Sequence, residues 1–593
     1  MQRAYFFNLV LDIAPRSWFI IKKKGERSED MKIGEVEKIS GLTAKAIRLY
    51  EKKKLLSVDR TGSDYRDYNE DDVKQLLTIK NFRLTGMGLS QIKLWTDGIV
   101  SSEELIKQRM SEIDRENEAS EEMYRLCKKL LSDSTVTDKE PSFFDECEQK
   151  SAKEYVGKLY LGMDIGTTTI SASVSDGFGK QIEAYNIPNG SAVQTDVSFA
   201  KEQNAEVIAE KTVKMVESLL GIYPEISAIG FSGQMHGIVY ADECGNAVSN
   251  LITWQDERGN EYISDKTTYA EEMSRVSGYK LSTGFGLVSH FYNVKNGLVP
   301  KNAVKICTIM DYVAMKLCGR NTPLVHLSNA ASFGVFDVKN GCFDKAALEK
   351  CGICVDILPE ITEVSTISGY YNEIPVSVAI GDNQASFLGS VSDYDASVLV
   401  NYGTGSQISF VSEYIQTHGE TELRPFVDGK YLVCGAALCG GRAYAILESF
   451  FSSFIADAGF DKKKQYSTIN RLALDEINKE PCNLPTVDTT FCGTRTNPSA
   501  KGSVLSLDES NFTPSKLIAA TLYGMANELY GMYKDVRSPD FSRLVASGNG
   551  VRKNEALRIV LSKVFGVTPE IPDIKEEAAY GAAKFAKKCM ERM

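Results

Sequence analysis

Leu161-Gly162-Met163-Asp164-Ile165-Gly166-Thr167-Thr168-Thr169-Ile170 decides how the larger part of this chain is read. An apolar run from Leu159 to Met163 ends in an aspartate, a glycine and three hydroxyl residues, and Ile170, Ala172 and Val174 then alternate as a second strand. Strand, tight turn and strand make a β-hairpin whose tip carries one carboxylate, a flexible glycine and a row of hydroxyl and N–H donors. A carboxylate can hold Mg²⁺ and turn donors can hold phosphate oxygens, although a plain Thr-rich turn has the same composition.

The chain has 593 residues, too many for one core, with 43% hydrophobic and 25% charged residues as in ordinary globular proteins. A net charge of −11 argues against coating nucleic acid along the whole length but leaves room for a local basic module. Thirteen scattered cysteines fit reduced, cytoplasmic thiols better than a disulfide framework, and Cys351-Gly352-Ile353-Cys354 lacks a second pair at zinc spacing. No apolar run reaches the ~18–20 residues of a membrane span. Residues 1–30 have their charge cluster after the apolar stretch, the wrong order for a secretory signal, and are expected to be a leader outside the native protein.

The basic module begins at Met31. Ile33, Val36 and Ile39 space as one helix face, Gly41-Leu42-Thr43 supplies a turn and N-cap, and Ala44 to Lys53 forms a second helix carrying Lys45, Arg48 and Lys52. Such a pair is a helix-turn-helix, and the Arg60–Tyr68 segment reads as a wing along a phosphate backbone. Residues 31–95 hold 13 Lys and Arg against nine Asp and Glu, the asymmetry of a nucleic-acid module. Ile33-Gly34-Glu35-Val36, Ala46-Ile47-Arg48-Leu49-Tyr50-Glu51, Tyr65-Arg66-Asp67-Tyr68 and Phe82-Arg83-Leu84-Thr85-Gly86 resemble the MerR-type winged helix-turn-helix. The resemblance implies a homodimeric reader of double-stranded promoter DNA over residues 31–100, with Lys45, Arg48 and Tyr50 on or near the recognition helix and Arg66 and Tyr68 in the wing. Residues 101–157 follow as a polar helix with a thin apolar stripe, suited to dimerisation, and a polar linker.

Beyond Leu159, apolar strands alternate with amphipathic helices, which predicts an α/β architecture with ligands at strand ends. Ile226–Ser232 leads into Gly233-Gln234-Met235-His236-Gly237, and Thr253-Trp254-Gln255-Asp256-Glu257-Arg258 adds a flat aromatic and hydroxyl partners of both polarities, the contents of a polyol pocket. Val376–Ile380 ends in Gly381-Asp382-Asn383-Gln384, where a strand-end carboxylate is placed as a general base. Asn401-Tyr402-Gly403-Thr404-Gly405-Ser406 repeats the chemistry of the opening hairpin, and Ser547-Gly548-Asn549-Gly550 is a further strand-to-turn. There is no P-loop and no Rossmann fingerprint, so a nucleotide would be clamped between two hydroxyl-rich hairpins instead.

In this order the motifs resemble the FGGY carbohydrate kinases of the actin/hexokinase superfamily, across about 430 residues. The resemblance implies a two-lobed ribonuclease H-like fold, a sugar lobe at 158–394 and a nucleotide lobe at 395–593, with ATP and Mg²⁺ as cofactors. It assigns Asp164 to the metal, Thr167 and Thr168 to the γ-phosphate, and Gly403, Thr404 and Gly405 to nucleotide phosphates. Gly548, Asn549 and Asn554 would border the adenosine. Gln234, Met235, His236 and Asp256 would line the sugar pocket with Arg258 behind them, and Asp382 would take the proton from the primary hydroxyl. Gly381–Gln384, Phe491-Cys492-Gly493-Thr494-Arg495 and Gly548–Asn554 look most like sedoheptulokinase, whereas Met235-His236-Gly237 is shared with xylulokinase. Two departures concern sugar preference: no Trp-centred signature stands near Ser289–Val299, and Gly440-Gly441-Arg442-Ala443-Tyr444 matches its signature only in part. The expectation is an active ketose kinase, sedoheptulose first and xylulose or another ketose or polyol as alternative, fused to a transcription regulator. The competing readings are a regulator whose kinase fold only senses sugar, and a scaffold that uses neither site.

Overall fold

The computed structural model describes residues 31–60, 66–116, 157–461, 464–479, 483–536 and 540–592. The expected leader, the far half of the dimerisation helix and the linker lie outside these residues. Two compact units divide within the linker, after Cys147. Among the described residues, no helix is long and apolar enough to cross a membrane.

The first unit opens with α1 (Ile33–Ser40) and α2 (Ala44–Lys52), joined as their sequence dictates. Gly41 closes α1 in the left-handed region at φ 64°, and the Thr43 hydroxyl caps α2 by accepting from Ala46 N at 3.2 Å. Strands β1 (Asp59–Arg60) and β2 (Arg66–Asp67) form a two-stranded antiparallel wing, followed by α3 (Glu70–Leu84), α4 (Leu89–Thr96) and α5 (Ser102–Glu116). Val36, Ile47, Leu76, Ile79 and Phe82 are fully buried as its core.

The second unit carries two sheets. The first contains β3 (Leu159–Ile165), β4 (Thr169–Asp176), β5 (Gln181–Pro188), then, after helix α6 (Ala205–Ile222), β6 (Ile226–Gly233), and later β7 (Ile367–Tyr371), β8 (Ile374–Ser377) and β9 (Ile380–Gly381). Its order is β7-β8-β6-β3-β4-β5, with β9 beside β6. The single strand expected over Val376–Ile380 is interrupted at Val378 and Ala379, where the Asn329 side chain donates to the Ala379 carbonyl at 3.2 Å in place of a strand partner. Helix α7 (Asp382–Ser390) begins at the end of β9.

The second sheet contains β10 (Ser397–Tyr402), β11 (Ser406–Ser412), β12 (Thr421–Pro425) and β13 (Tyr431–Ala437); after helices α8 (Gly440–Asp457) and α9 (Pro514–Lys534) comes β14 (Arg543–Ser547). Helices α10 (Asn549–Lys553) and α11 (Glu555–Phe565), strand β15 (Pro569–Glu570) and α12 (Glu577–Glu591) complete the chain's elements, and the strand order is β12-β13-β11-β10-β14-β15. Both sheets are built on one plan. An antiparallel hairpin (β3–β4, β10–β11) is extended antiparallel on one side by β5 or β13 and parallel on the other by β6 or β14.

Helices α7 and α12 lie between the sheets. Ala385, Phe387 and Leu388 of α7 share one apolar cluster with Phe585 and Cys589 of α12 and with Leu399, Val411, Leu432 and Val545 of the second sheet. Toward the first sheet the packing is by glycine: a Cβ at Gly162 or Gly230 would overlap the carbonyl oxygens of Ala579 or Ala582 in α12. The helices cross equally closely, since a Cβ at Gly581 would overlap the Ala385 carbonyl and one at Gly389 the Glu577 carbonyl. Lys584 Nζ donates to Leu388 O at 2.6 Å and Val391 O at 2.8 Å, which satisfies the end of α7.

Gly581→Ala is therefore expected to destabilise the second unit by about 1–3 kcal/mol despite alanine's better helix propensity, because backbone cannot yield as a side chain does. Gly531→Ala in α9, where nothing lies within 4 Å of the added Cβ, should instead gain roughly 0.5–1 kcal/mol. Urea unfolding of both variants checks this, and equal effects would refute the close crossing.

Candidate active site and nucleic-acid face

Asp164 stands at the end of β3, in register with Ser171 of β4 and Ser232 of β6. Its Oδ1 is buried with no hydrogen-bond partner, and so is the Ser232 hydroxyl beside it, the two not meeting at bonding geometry. Burial, then the charges of Asp382 and Glu576, push the Asp164 pKa up to about 7. Glu576 is held just ahead of α12 by Ser171 Oγ and Asn186 Nδ2, each donating at 2.7 Å. A crowded carboxylate with a bare oxygen fits a divalent cation. Among the described residues no three His, Cys, Asp or Glu side chains converge as a metal cage. An ion at Asp164 would thus take most of its shell from phosphate oxygens and water, as Mg²⁺ does.

The hairpin tip is pinned from three sides. Asn189 Nδ2 donates to Gly166 O at 2.7 Å, Gln203 Nε2 donates to Thr167 O at 2.7 Å, and Trp254 Nε1 donates to Thr167 Oγ1 at 3.1 Å. Thr168 and Thr169 are exposed. In the second sheet the matching turn, Gly403-Thr404-Gly405, hands two carbonyls to the start of α8: Gly441 N donates to Gly403 O at 3.0 Å and Arg442 N to Thr404 O at 2.9 Å. Gly440 and Gly441 allow this approach, because a Cβ on either would overlap the turn's backbone. The pair half-recognised in sequence thus braces the turn.

A cleft of about 530 Å³ opens beside this turn, lined among others by Asn383, Asn401, Gly403, Gly405, Ser406 and Arg495. Gly548 borders the strand end with φ 90°, and a Cβ there would crowd Tyr402 O at 2.5 Å. Asn549 is exposed. Asn554 departs from its expected role beside the base. It is buried, with its Oδ1 accepting from Leu557 N at 3.1 Å, and serves as the N-cap of α11.

Asp382 is the first residue of α7, where the helix dipole favours a carboxylate. Burial raises its pKa, while the Arg424 charge and the Asn383 main-chain and side-chain N–H groups oppose the rise, Asn383 Nδ2 donating to Asp382 Oδ1 at 2.8 Å. The side chain keeps partial access to the cleft. Arg424, on β12, also stands 3.7 Å from Met235 Sδ through Nη1 and bonds Glu422 at 3.0 Å through Nη2. It is a functional candidate that the sequence reading missed; Thr421–Pro425 is an ordinary strand by composition.

On the sugar side, His236 adopts φ 71° in a γ-turn, with Gly237 N donating to Met235 O at 2.9 Å. Burial, reinforced by Arg424, lowers its pKa to about 4, so the ring is neutral at pH 7. Its Nδ1 sits 2.7 Å from the Ser332 carbonyl and must be the protonated nitrogen, which leaves Nε2 an acceptor. Such strained backbone is characteristic of ligand-facing positions. Met235 is buried against Gly381, where a Cβ would meet Met235 Sδ at 2.6 Å. Gln234 is engaged internally, accepting from Thr167 Oγ1 at 3.3 Å and donating to Gln203 Oε1 at 2.8 Å. Asp256 departs from the expected direct sugar contact. It is 0% exposed, and its oxygens accept from Arg258 Nε at 2.7 Å, Arg258 Nη2 at 3.0 Å and Lys201 N at 3.0 Å. Arg258 also binds Asn293 and Glu202, so the pair braces the pocket wall from behind. Trp254, 48% exposed, presents its face in front of that wall.

In the first unit, Lys45, Arg48 and Lys52 are all exposed along α2, opposite buried Ile47 and Tyr50. Tyr50 and Tyr68 are corrected as DNA contacts by their burial, 7% and 0% exposed. Tyr68 pairs its main chain with Met31 and donates its hydroxyl to Glu51, so it closes the module's core rather than its surface. The backbone of Arg66 pairs with Arg60 in the wing.

Comparisons with known proteins agree with this geometry. The N-terminal domain of the FGGY family of carbohydrate kinases matches residues 159–399 and the family's C-terminal domain matches 398–588, while the MerR HTH family regulatory protein matches 31–99. A sedoheptulokinase of Mus musculus is 28% identical over 472 residues, covering 71% of this chain and 96% of that protein. A xylulose kinase of Staphylococcus xylosus is 25% identical over 452 residues, covering 72% and 90%. Ligand-bound xylulose kinase from Lactobacillus acidophilus superposes with a TM-score of 0.60 at 18% identity, covering 74% of this chain and 90% of that one, a likeness of fold. With two phosphate turns on duplicated sheets, a strand-end aspartate between them and both family domains matched in order, the chain belongs to the FGGY family of carbohydrate kinases and carries a MerR-type helix-turn-helix domain at its N-terminal end.

Proposed function

We propose that this protein is an ATP- and Mg²⁺-dependent ketose kinase, with sedoheptulose to sedoheptulose 7-phosphate as its first substrate, fused to a module that binds promoter DNA as a homodimer. The observation that carries the kinase reading is the meeting of Asp164 and Asp382 between two turns of the same build, with Asp164 Oδ1 unpartnered. The sedoheptulokinase relatives favour the seven-carbon sugar, and the xylulose kinase relatives keep xylulose as the alternative.

The chain's own residues supply placement and charge. His236 Nε2 accepts from a sugar hydroxyl, Met235 and Trp254 present apolar faces to the carbon chain, and Asp382 accepts the proton of the primary hydroxyl as its oxygen attacks phosphorus. Thr167, Thr168, Gly403, Thr404 and Gly405 donate to phosphate oxygens, with Gly548 and Asn549 along the nucleotide. When bound, Mg²⁺ at Asp164 would neutralise phosphate charge. Little covalent work is needed once hydroxyl, base and phosphate are aligned.

A ketose panel in an ATP-consumption assay tests this. Asp382→Asn should lower kcat by at least ~10²-fold, the scale of a lost general base. Full activity in that variant would remove Asp382 from the chemistry, and tight sugar binding without turnover in wild type would identify a sensor.

Asp164 gives a prediction free of turnover. A carboxyl whose folded pKa is raised to about 7 binds its proton better folded than unfolded. Its favourable contribution is complete below the unfolded value of ~4 and is lost as pH rises through 7. Asp164→Asn should thus raise Tm relative to wild type at pH 8 in EDTA, with the gap closing toward pH 5, and Mg²⁺ should narrow it at pH 8. A pH-independent difference would contradict the crowded carboxylate.

For the first unit, a promoter fragment should be bound sequence-specifically. Replacing Arg48 and Arg66 together by alanine should weaken binding and reduce the slope of log K against log salt by roughly 2, as for two lost phosphate contacts. Wild-type affinity in that variant would refute the DNA assignment.

A further inference from the structure

Resting on the kinase reading, we propose that Arg495 binds the phosphoryl group as it is transferred, and that Glu422 holds its guanidinium ready until that group arrives. The charge balance of the cleft requires a cation. A transferring phosphoryl brings negative oxygens to a place already occupied by the carboxylates of Asp164 and Asp382, and the Gly403–Ser406 turn answers with neutral donors only. Among the residues lining the 530 Å³ cleft, Arg495 is the one charged side chain, and it shares that lining with Gly403, Gly405, Ser406 and Asn383, the neighbour of the base.

The backbone around Arg495 is fixed while its head is not. Thr494 Oγ1 donates to Glu420 at 2.7 Å and Thr496 N donates to the same carboxylate at 3.2 Å, so the residues on either side are tied to one anchor. The base of the loop is held by Thr489 Oγ1 donating to Glu528 at 2.7 Å. The Arg495 guanidinium makes one bond among the described residues, Nη1 to Glu422 Oε1 at 2.9 Å, and the side chains of that pair are 47% and 50% exposed. Such a pair holds weakly and exchanges readily for a better anion. Glu422 is not stranded by the exchange, because its other oxygen keeps Arg424 Nη2 at 3.0 Å. Arg424 in turn reaches Met235 on the sugar side, so the two arginines flank the transfer point from one carboxylate.

In the step itself, the bond from the γ-phosphorus to the β–γ bridging oxygen breaks and a bond from that phosphorus to the sugar oxygen forms. The hydroxyl proton passes to Asp382, and ADP leaves with the bridging oxygen. Arg495 donates N–H groups to the non-bridging oxygens and loses no proton, being cationic at all relevant pH values. Its planar fork suits two phosphate oxygens at once, which a lysine cannot reproduce.

The test uses the full-length protein with Arg495→Gln and Arg495→Lys, reading calorimetric affinity for AMP-PNP and ADP, each with Mg²⁺, and kcat on a ketose that wild type turns over. Arg495→Gln should lose ~10-fold or more in AMP-PNP affinity with ADP affinity held within about threefold, and kcat should fall by ~10²–10³-fold, the cost of a lost charge-stabilising donor. Arg495→Lys should recover part of both. Equal losses for the two nucleotides, or no loss for either, would overturn the proposal. If wild type phosphorylates no sugar, the kinase reading falls, yet the difference between AMP-PNP and ADP still decides whether Arg495 meets the γ-phosphate.

Discussion

Where α7 crosses α12 the two helices touch backbone to backbone, with Gly581 beneath the Ala385 carbonyl and Gly389 beneath that of Glu577. The rest of the second unit depends on this crossing. Helix α7 begins with the base, so its position fixes where a proton can be received. Helix α12 lies on Gly162 and Gly230 of the first sheet, two strand positions paired in register, and its Phe585 and Cys589 enter the cluster that reaches the second sheet. One close contact therefore sets the height of Asp382 above the end of β3 and the spacing between the sheets. Larger residues at these glycines would separate the carboxylates from the turns before changing anything in the site itself.

The two sheets repeat a plan but divide its chemistry. Asp164 pairs in register with Ser232, and the corresponding position in the second sheet, Asn401, pairs with Ser547. An acid stands in one copy and a neutral amide in the other. The first hairpin is thus suited to a cation beside the acceptor, and the second to nucleotide phosphates, where a further carboxylate would only repel. The arginines continue the same logic: they enter from β12 and the 489–497 region, on the side where the neutral turn leaves charge unanswered.

Much of this was legible in the chain. Glycine turns after apolar runs mark β3, β6, β9, β10 and β14, since those residue types have few other reasons to follow a buried strand, and the alternation of strands with helices such as α6 gives the architecture. What stayed hidden depends on partners distant in sequence. Asp256 looks like a ligand in a polar run, but only the fold shows that Arg258 and Lys201 N saturate it. Asn554 resembles a base contact and is spent on capping α11. Tyr50 and Tyr68 read as surface aromatics until the fold turns them inward. Arg424 gave no signal, because its meaning lies in Met235 and Asp382, residues brought to it from the other sheet.

Helix α12 also governs the order in which the protein can be made. Ser171 of the first hairpin and Glu576 ahead of α12 are joined by a hydrogen bond across 405 residues of chain. At roughly 5–20 residues per second on the ribosome, the first sheet waits about 20–80 s for the helix that covers it. The helix-turn-helix unit needs nothing beyond its own neighbourhood, since the core of α1 to α4 is drawn from residues 36–100. It can fold while the kinase is still being synthesised. Interrupted synthesis, or removal of the last turn or two of chain, would then leave an intact DNA-reading module attached to a kinase with no covered sheet, a separation of the two activities in time that follows from where one helix is encoded.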